Sequence, residues 1–250
     1  MIKLGIKLLL ARLFKILCDC KGITSSVIEK AYFKEEIDSW IKNASEDQVM
    51  KLSKGINFFL FYYEPLEKIK DDSVYTKQYS NFILILLFSL IEGMMEEKEY
   101  KNCVEYLKIE EKKYKNCIRI INIKKLFGEM IEEYEENYGI VKSVKKFFEK
   151  YVRDKDKEFI LTVYKDGKKE TINAIINDIY DMRSDFIHSC GFEALSRDDV
   201  ELEFKKDDKM GEYMGTIVST LNLRDFIVIV WYGILNKYRF DKKFLNQLLD

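Results

Sequence analysis

Apolar residues recur every three to four positions through most of this 250-residue chain, the spacing of one face of an α-helix. The pattern predicts a first helix over Met1–Leu17, in which Lys3, Lys7 and Lys15 fall near one face and leucines and isoleucines cover the rest. Tyr32–Asn43 and Glu46–Tyr63 read as two further helices. Ser45 is placed to cap the second, with Glu46 and Asp47 in its first turn, where acids suit the helix dipole. Glu64-Pro65 reads as its end, because proline restricts the residue before it and lacks an amide hydrogen. The polar stretch Leu66–Ser73 reads as a linker. It divides the chain into an N-terminal helical extension, residues 1–70, and a larger helical domain, residues 71–250.

The strongest helical pattern is Tyr75–Glu96. Phe82–Ile91 is apolar on all sides except Ser89, which predicts a central bundle helix. From Lys77 to Glu92 only 14 residues are enclosed between charges, too few to span a bilayer. Asn81, Ser89, Glu92 and Glu96 form a narrow polar stripe along it. Residues 99–152 continue with helical periodicity, broken near Asn116–Asn122 and Gly139. Glu158–Tyr164, rich in β-branched and aromatic residues and followed by Lys165-Asp166-Gly167-Lys168, reads as a strand entering a tight turn. Thr171 then caps a helix running to about His188. Val200–Lys205 and Tyr213–Ser219 read as short strands joined by the Lys206–Gly211 turn, and a closing helix starts at Thr220 or Asn222 and ends near Tyr238. The expected fold is mainly α, a helical bundle with one or two short β-hairpins beside the helix that ends at His188.

Composition agrees with that pattern. One proline and 11 glycines in 250 residues leave long helices uninterrupted. The formal net charge is −1, so attraction to nucleic acid must come from a local basic patch. The five cysteines are an odd number without regular spacing, which fits reduced thiols in a cytoplasmic protein. Cys18-x-Cys20 has the wrong spacing for a zinc knuckle and a single histidine cannot complete a usual zinc set, so no metal or cofactor is expected. Cys190, two residues past His188, reads as an inert thiol or as a nucleophile beside the imidazole. In Met1–Leu17 the cations Arg12 and Lys15 interrupt the apolar run and no small-residue cleavage site follows, unlike a signal peptide. The segment suits docking on the protein's own core or a second protomer, or lying on a membrane surface, but not stable membrane insertion.

The most telling positions lie in Ile179-Tyr180-Asp181-Met182-Arg183-Ser184-Asp185-Phe186-Ile187-His188, which ends in the only histidine. At 100° per residue, Ile172, Ile176, Ile179, Arg183 and Ile187 share one stripe, and Asn177, Asp181, Ser184 and His188 share another. A cation inside an isoleucine stripe must be paired or face a ligand. Glu92 and the nearby Asp181 and Asp185 are candidate partners; Glu92 reads equally as a solvated helix-end residue. Guanidinium and imidazole on one helix end suit phosphate and proton handling. A second basic run, Lys142, Lys145, Lys146, Lys150, Arg153 and Lys155, is interleaved with Phe147, Phe148 and Tyr151. It reads as a single-stranded RNA surface or as a solvated face over buried rings.

Tyr-Asp-Met-Arg-Ser-Asp-Phe-Ile-His resembles the Arg-x4–6-His signature of HEPN domains, and more narrowly the ApeA-like branch, over roughly residues 75 to 240. The resemblance implies a HEPN-like helical bundle and a homodimer whose composite site uses Arg183 and His188 of both protomers. It also implies metal-independent cleavage of RNA in antiphage defence or a toxin–antitoxin system, with an antitoxin or defence partner protein. A second reading is an inactive HEPN-like RNA- or protein-binding module. Ser184, Ser189 and the pI near 6.1 favour it, and Arg183 would then be a structural ion pair. A third is a membrane-surface effector acting through the first helix.

Overall fold

Side chains that bond back to the chain set where several helices start. Ser45 and Gln48 form a reciprocal capping box: Gln48 N–H donates to Ser45 Oγ at 3.2 Å, and Ser45 N–H to Gln48 Oε1 at 2.9 Å. Asn222 Oδ1 accepts from the Asp225 amide and Asp241 Oδ1 from the Phe244 amide, both at 2.8 Å. The structure, a computed structural model, describes residues 2–23, 31–68, 73–95, 140–165, 171–189, 218–219 and 221–249. Within them the fold is mainly α. The elements are α1 (Ile2–Cys20), α2 (Ala31–Asn43), α3 (Glu46–Lys68), α4 (Ser73–Met94), α5 (Ile140–Tyr151), α6 (Asp154–Val163), β1 (Tyr164–Lys165), α7 (Ile172–Ser189), β2 (Val218–Ser219), α8 (Leu223–Lys237) and α9 (Lys242–Leu249).

One continuous core joins the two ends of the described chain. Helix α8 is its centre: every residue from Phe226 to Leu235 is buried, and α1, α4, α5 and α9 pack around it. Helix α4 sits between α3, α5, α7 and α8, which its nearly all-round apolar surface requires. Helix α1 buries Ile6, Leu10, Leu13, Phe14 and Leu17 against α3 and α8. Two of its cations pair with neighbouring helices: Lys7 with Asp38 of α2, and Arg12 with Glu64 of α3. Phe14 meets Phe33 of α2, Phe240 and Phe244 at ring-centroid distances of 5.1, 6.2 and 5.6 Å. Trp40 donates to the Tyr238 carbonyl at 2.7 Å and stacks on Phe240. Residues 1–70 and the C-terminal helices therefore share apolar contacts. No helix among the described residues is long and apolar enough to cross a membrane.

Three local expectations are corrected. Glu158–Tyr164 is not a strand, because α6 covers Asp154–Val163 and only Tyr164–Lys165 is extended. Short-range bonds favour the helix: Arg153 pairs with Asp156, Lys157 with Asp154, and Thr162 Oγ1 donates to the Glu158 carbonyl. The two-residue strand pairs antiparallel with distant β2, Tyr164 opposite Ser219, so the pairing spans α7 and is no local hairpin. Helix α3 also runs through Pro65 to Lys68, since proline removes only one hydrogen bond near a helix end. Finally, a helix follows the closing one: α9, capped by Asp241, buries Phe244, Leu245, Leu248 and Leu249. The expected elements over 99–139, the 166–170 turn and the strands across 200–217 lie outside the described residues.

Candidate functional site

Helix α7 starts where its cap requires. Ala174 N–H approaches Thr171 Oγ1 at 3.3 Å, and Ile175, Ile176 and Ile179 then enter the core with no exposed surface. Tyr180 sets its ring edge against Phe88 of α4 at 5.4 Å, and Asn173 Nδ2 donates to Glu149 Oε1 of α5 at 3.0 Å. Asn177 is half-buried, and its Oδ1 has no hydrogen-bond partner among the described residues. A buried amide oxygen left this way costs about 1–3 kcal/mol, so the site favours a donor. Asp181 is exposed. Arg183, Ser184, Asp185 and His188 occupy the last two turns of the helix, and their side chains lie outside the described residues.

Contacts fix which end of the bundle each candidate occupies. Lys237, at the end of α8, donates to the Met94 carbonyl at 2.5 Å, and its ammonium lies 5.7 Å from the Tyr151 ring. The ends of α4, α5 and α8 therefore meet. Glu149, two residues before Tyr151, holds Asn173, so α7 begins at this end and runs back antiparallel to α4. Glu92 lies one turn beyond Phe88 toward this end, whereas Arg183 lies three residues beyond Tyr180 toward the other. Their backbones are on the order of 10 Å apart along the bundle axis at 1.5 Å per residue. Half-buried Glu92 thus lies level with the first two turns of α7.

The basic run on α5 separates into two layers. Phe147 and Phe148 are fully buried, Lys142, Lys146 and Lys150 are exposed, and Lys145 is half-buried. These two phenylalanines belong to the core and offer no stacking face.

A polar groove of about 550 Å³ opens where α5, α6, α8 and α9 meet, and it includes Lys150. Arg153 forms its floor. The guanidinium grips Asp156 through Nε at 2.6 Å and Nη2 at 2.9 Å, and donates from Nη1 to Asn246 Oδ1 at 3.2 Å. It also lies 4.1 Å from the centre of the Tyr232 ring, whose hydroxyl is 3.2 Å from Asn246 Oδ1. Both members of the ion pair are about nine-tenths buried, with side-chain exposures of 11% and 10%. Around this floor stand Lys150, Lys155, Lys157 and Lys242, with Glu149 and Asp154 as the lining carboxylates. Lys157 is held by Asp154 and by the Glu149 carbonyl, each at 2.9 Å. The basic run signals one side of this groove through Lys150, Arg153 and Lys155; Tyr232, Lys242 and Asn246 come from distant parts of the chain. Among the described residues no three of His, Cys, Asp and Glu gather as metal ligands. No family model matches the chain, and neither a curated protein nor a solved structure matches it.

Proposed function

We propose that the chain is a HEPN-type endoribonuclease that acts as a homodimer and needs no metal ion. The observation that carries the reading is Arg183-x4-His188 on the last turns of α7. There Arg183 continues the wheel stripe on which Ile176 and Ile179 are already buried. RNA carries its own nucleophile, the 2′-hydroxyl, so the protein must move protons and stabilise charge on the phosphate. Histidine suits the first task because its ordinary pKa is about 6.5. The arginine fork suits the second. Asn177, with an unsatisfied oxygen, and exposed Asp181 lie on the same stripe as Ser184 and His188 and would orient the pair. A restraining antitoxin or defence partner, and a cytoplasmic site of action, belong to the same proposal.

Product chemistry tests the reaction. Single-stranded RNA incubated with the purified protein in EDTA should yield 2′,3′-cyclic phosphate and 5′-hydroxyl ends. Products with 3′-hydroxyl and 5′-phosphate ends would mean attack by water and a different enzyme. Intact RNA under every condition would favour a binding module, to which the acidic pI and Ser184 also point.

A further inference from the structure

The groove above Arg153 has a role the motif does not supply. Resting on the reading that RNA is the substrate, we propose that it is a sequence-indifferent anchor for the sugar–phosphate backbone, remote from the cleavage motif. Its lining sets five cations against two carboxylates. Two of the cations are already committed, Arg153 to Asp156 and Lys157 to Asp154. Lys150 of α5 and Lys242 of α9 have no carboxylate partner among the described residues and are exposed. Lysines so placed attract successive phosphates as point charges.

The rings nearby explain why bases are not read. Base recognition by stacking needs an open aromatic face. The Tyr232 ring carries the Arg153 guanidinium, the Tyr151 ring is approached by Lys150 and Lys237, and Phe147 and Phe148 are buried. What remains toward the groove is charge and amide, which position a strand without specifying its sequence. The groove also lies at the opposite end of α7 from His188. Asn173 bonds to Glu149 on the groove wall, and His188 is 15 residues further along the helix, about 22 Å. A strand held by both must span that length.

The test uses the full-length protein and a fluorescent 2′-O-methyl RNA 20-mer, which has no 2′-hydroxyl to attack. Wild type and Lys150→Gln/Lys242→Gln are titrated by anisotropy over a range of salt, with thermal melts to confirm folding. The lysine variant should bind several-fold more weakly to U-rich and A-rich strands equally. Its salt slope should fall by about 1.4, the value for two lost contacts on a single strand. Unchanged affinity and slope in the lysine variant, no binding by wild type, loss confined to one base composition, or tighter binding of polyglutamate than of RNA would each overturn the anchor. Cleavage plays no part in this readout, so failure of the nuclease reading and failure of the groove are told apart.

Discussion

Replacing Arg153 by alanine tests how the groove floor is held. The guanidinium pairs bidentately with Asp156, reaches Asn246 of α9 and covers the Tyr232 ring of α8. Its removal strands a carboxylate whose side chain is only 10% exposed, and breaking a buried pair from one side costs about 3–5 kcal/mol. The lost cation–π contact adds up to about 2 kcal/mol, though the two losses overlap because one group makes both. A net cost of about 4–5 kcal/mol lowers the melting temperature of a chain this size by roughly 8–20 °C. The double variant Arg153→Ala/Asp156→Ala removes the stranded charge as well, so it should be more stable than the single variant. Urea denaturation and thermal melts of the three proteins measure both differences. A single variant within about 1 kcal/mol of wild type, or a double variant less stable than the single, would refute the buried-charge argument.

Two glycines should respond to different degrees. A Cβ at Gly233 would stand 2.6 Å from the buried Phe147 ring tip and 3.2 Å from Val152, so overpacking of about 1–3 kcal/mol outweighs the helix-propensity gain of about 1 kcal/mol. At Gly55 the obstacles are the ends of two flexible side chains, half-buried Met94 and, at 3.3 Å, Leu90, so Gly55→Ala should cost less melting temperature than Gly233→Ala. Alkaline pH should destabilise the fold. Burial, then the charge of Asp19, raises the Cys18 thiol from 9.0 to about 11. Burial, then Asp47, raises the Tyr238 phenol from 10.0 to about 12. Both groups favour the neutral form when folded, so their contribution is complete below pH 9 and is lost as pH rises through about 9–12. The urea midpoint should therefore fall across that window, and fall less in Cys18→Ala; a flat profile would contradict the burial argument. The nuclease proposal also expects a dimer, which a monomeric mass by sedimentation at micromolar concentration would oppose.

Much of the helical framework was legible because local chemistry fixes it. Ser45, Thr171 and Asn222 each cap the helix that their position in the sequence marks. Helix α4 follows from an apolar run too short for a membrane and too continuous for a surface helix. What stayed hidden depends on distance in the chain. Glu158–Tyr164 has strand composition, but the pairs around Arg153 and Lys157 set the helix start. The buried role of Phe147 and Phe148 depends on α8, whose Phe226 stacks on Phe148 at 5.9 Å. The groove needs Lys150 and Arg153 beside Asn246, 93 residues from Arg153, and no periodicity reports that meeting. The Arg183 and His188 positions on α7 were readable from the sequence, as was their proposed chemistry. The antiparallel course of α7 along α4 needed the packed helices.

The central claim concerns Arg183 and His188, and one comparison tests it most directly. Wild type, Arg183→Ala and His188→Ala, matched in melting temperature and oligomeric state, are assayed for cleavage of single-stranded RNA in EDTA. Wild type should cut the RNA without added metal. Each variant should lose about 10²–10⁴-fold in rate, the usual cost of removing a positioned proton-transfer or charge-stabilising group. Cleavage that survives His188→Ala at the wild-type rate, or that disappears from wild type when EDTA is added, would contradict the account.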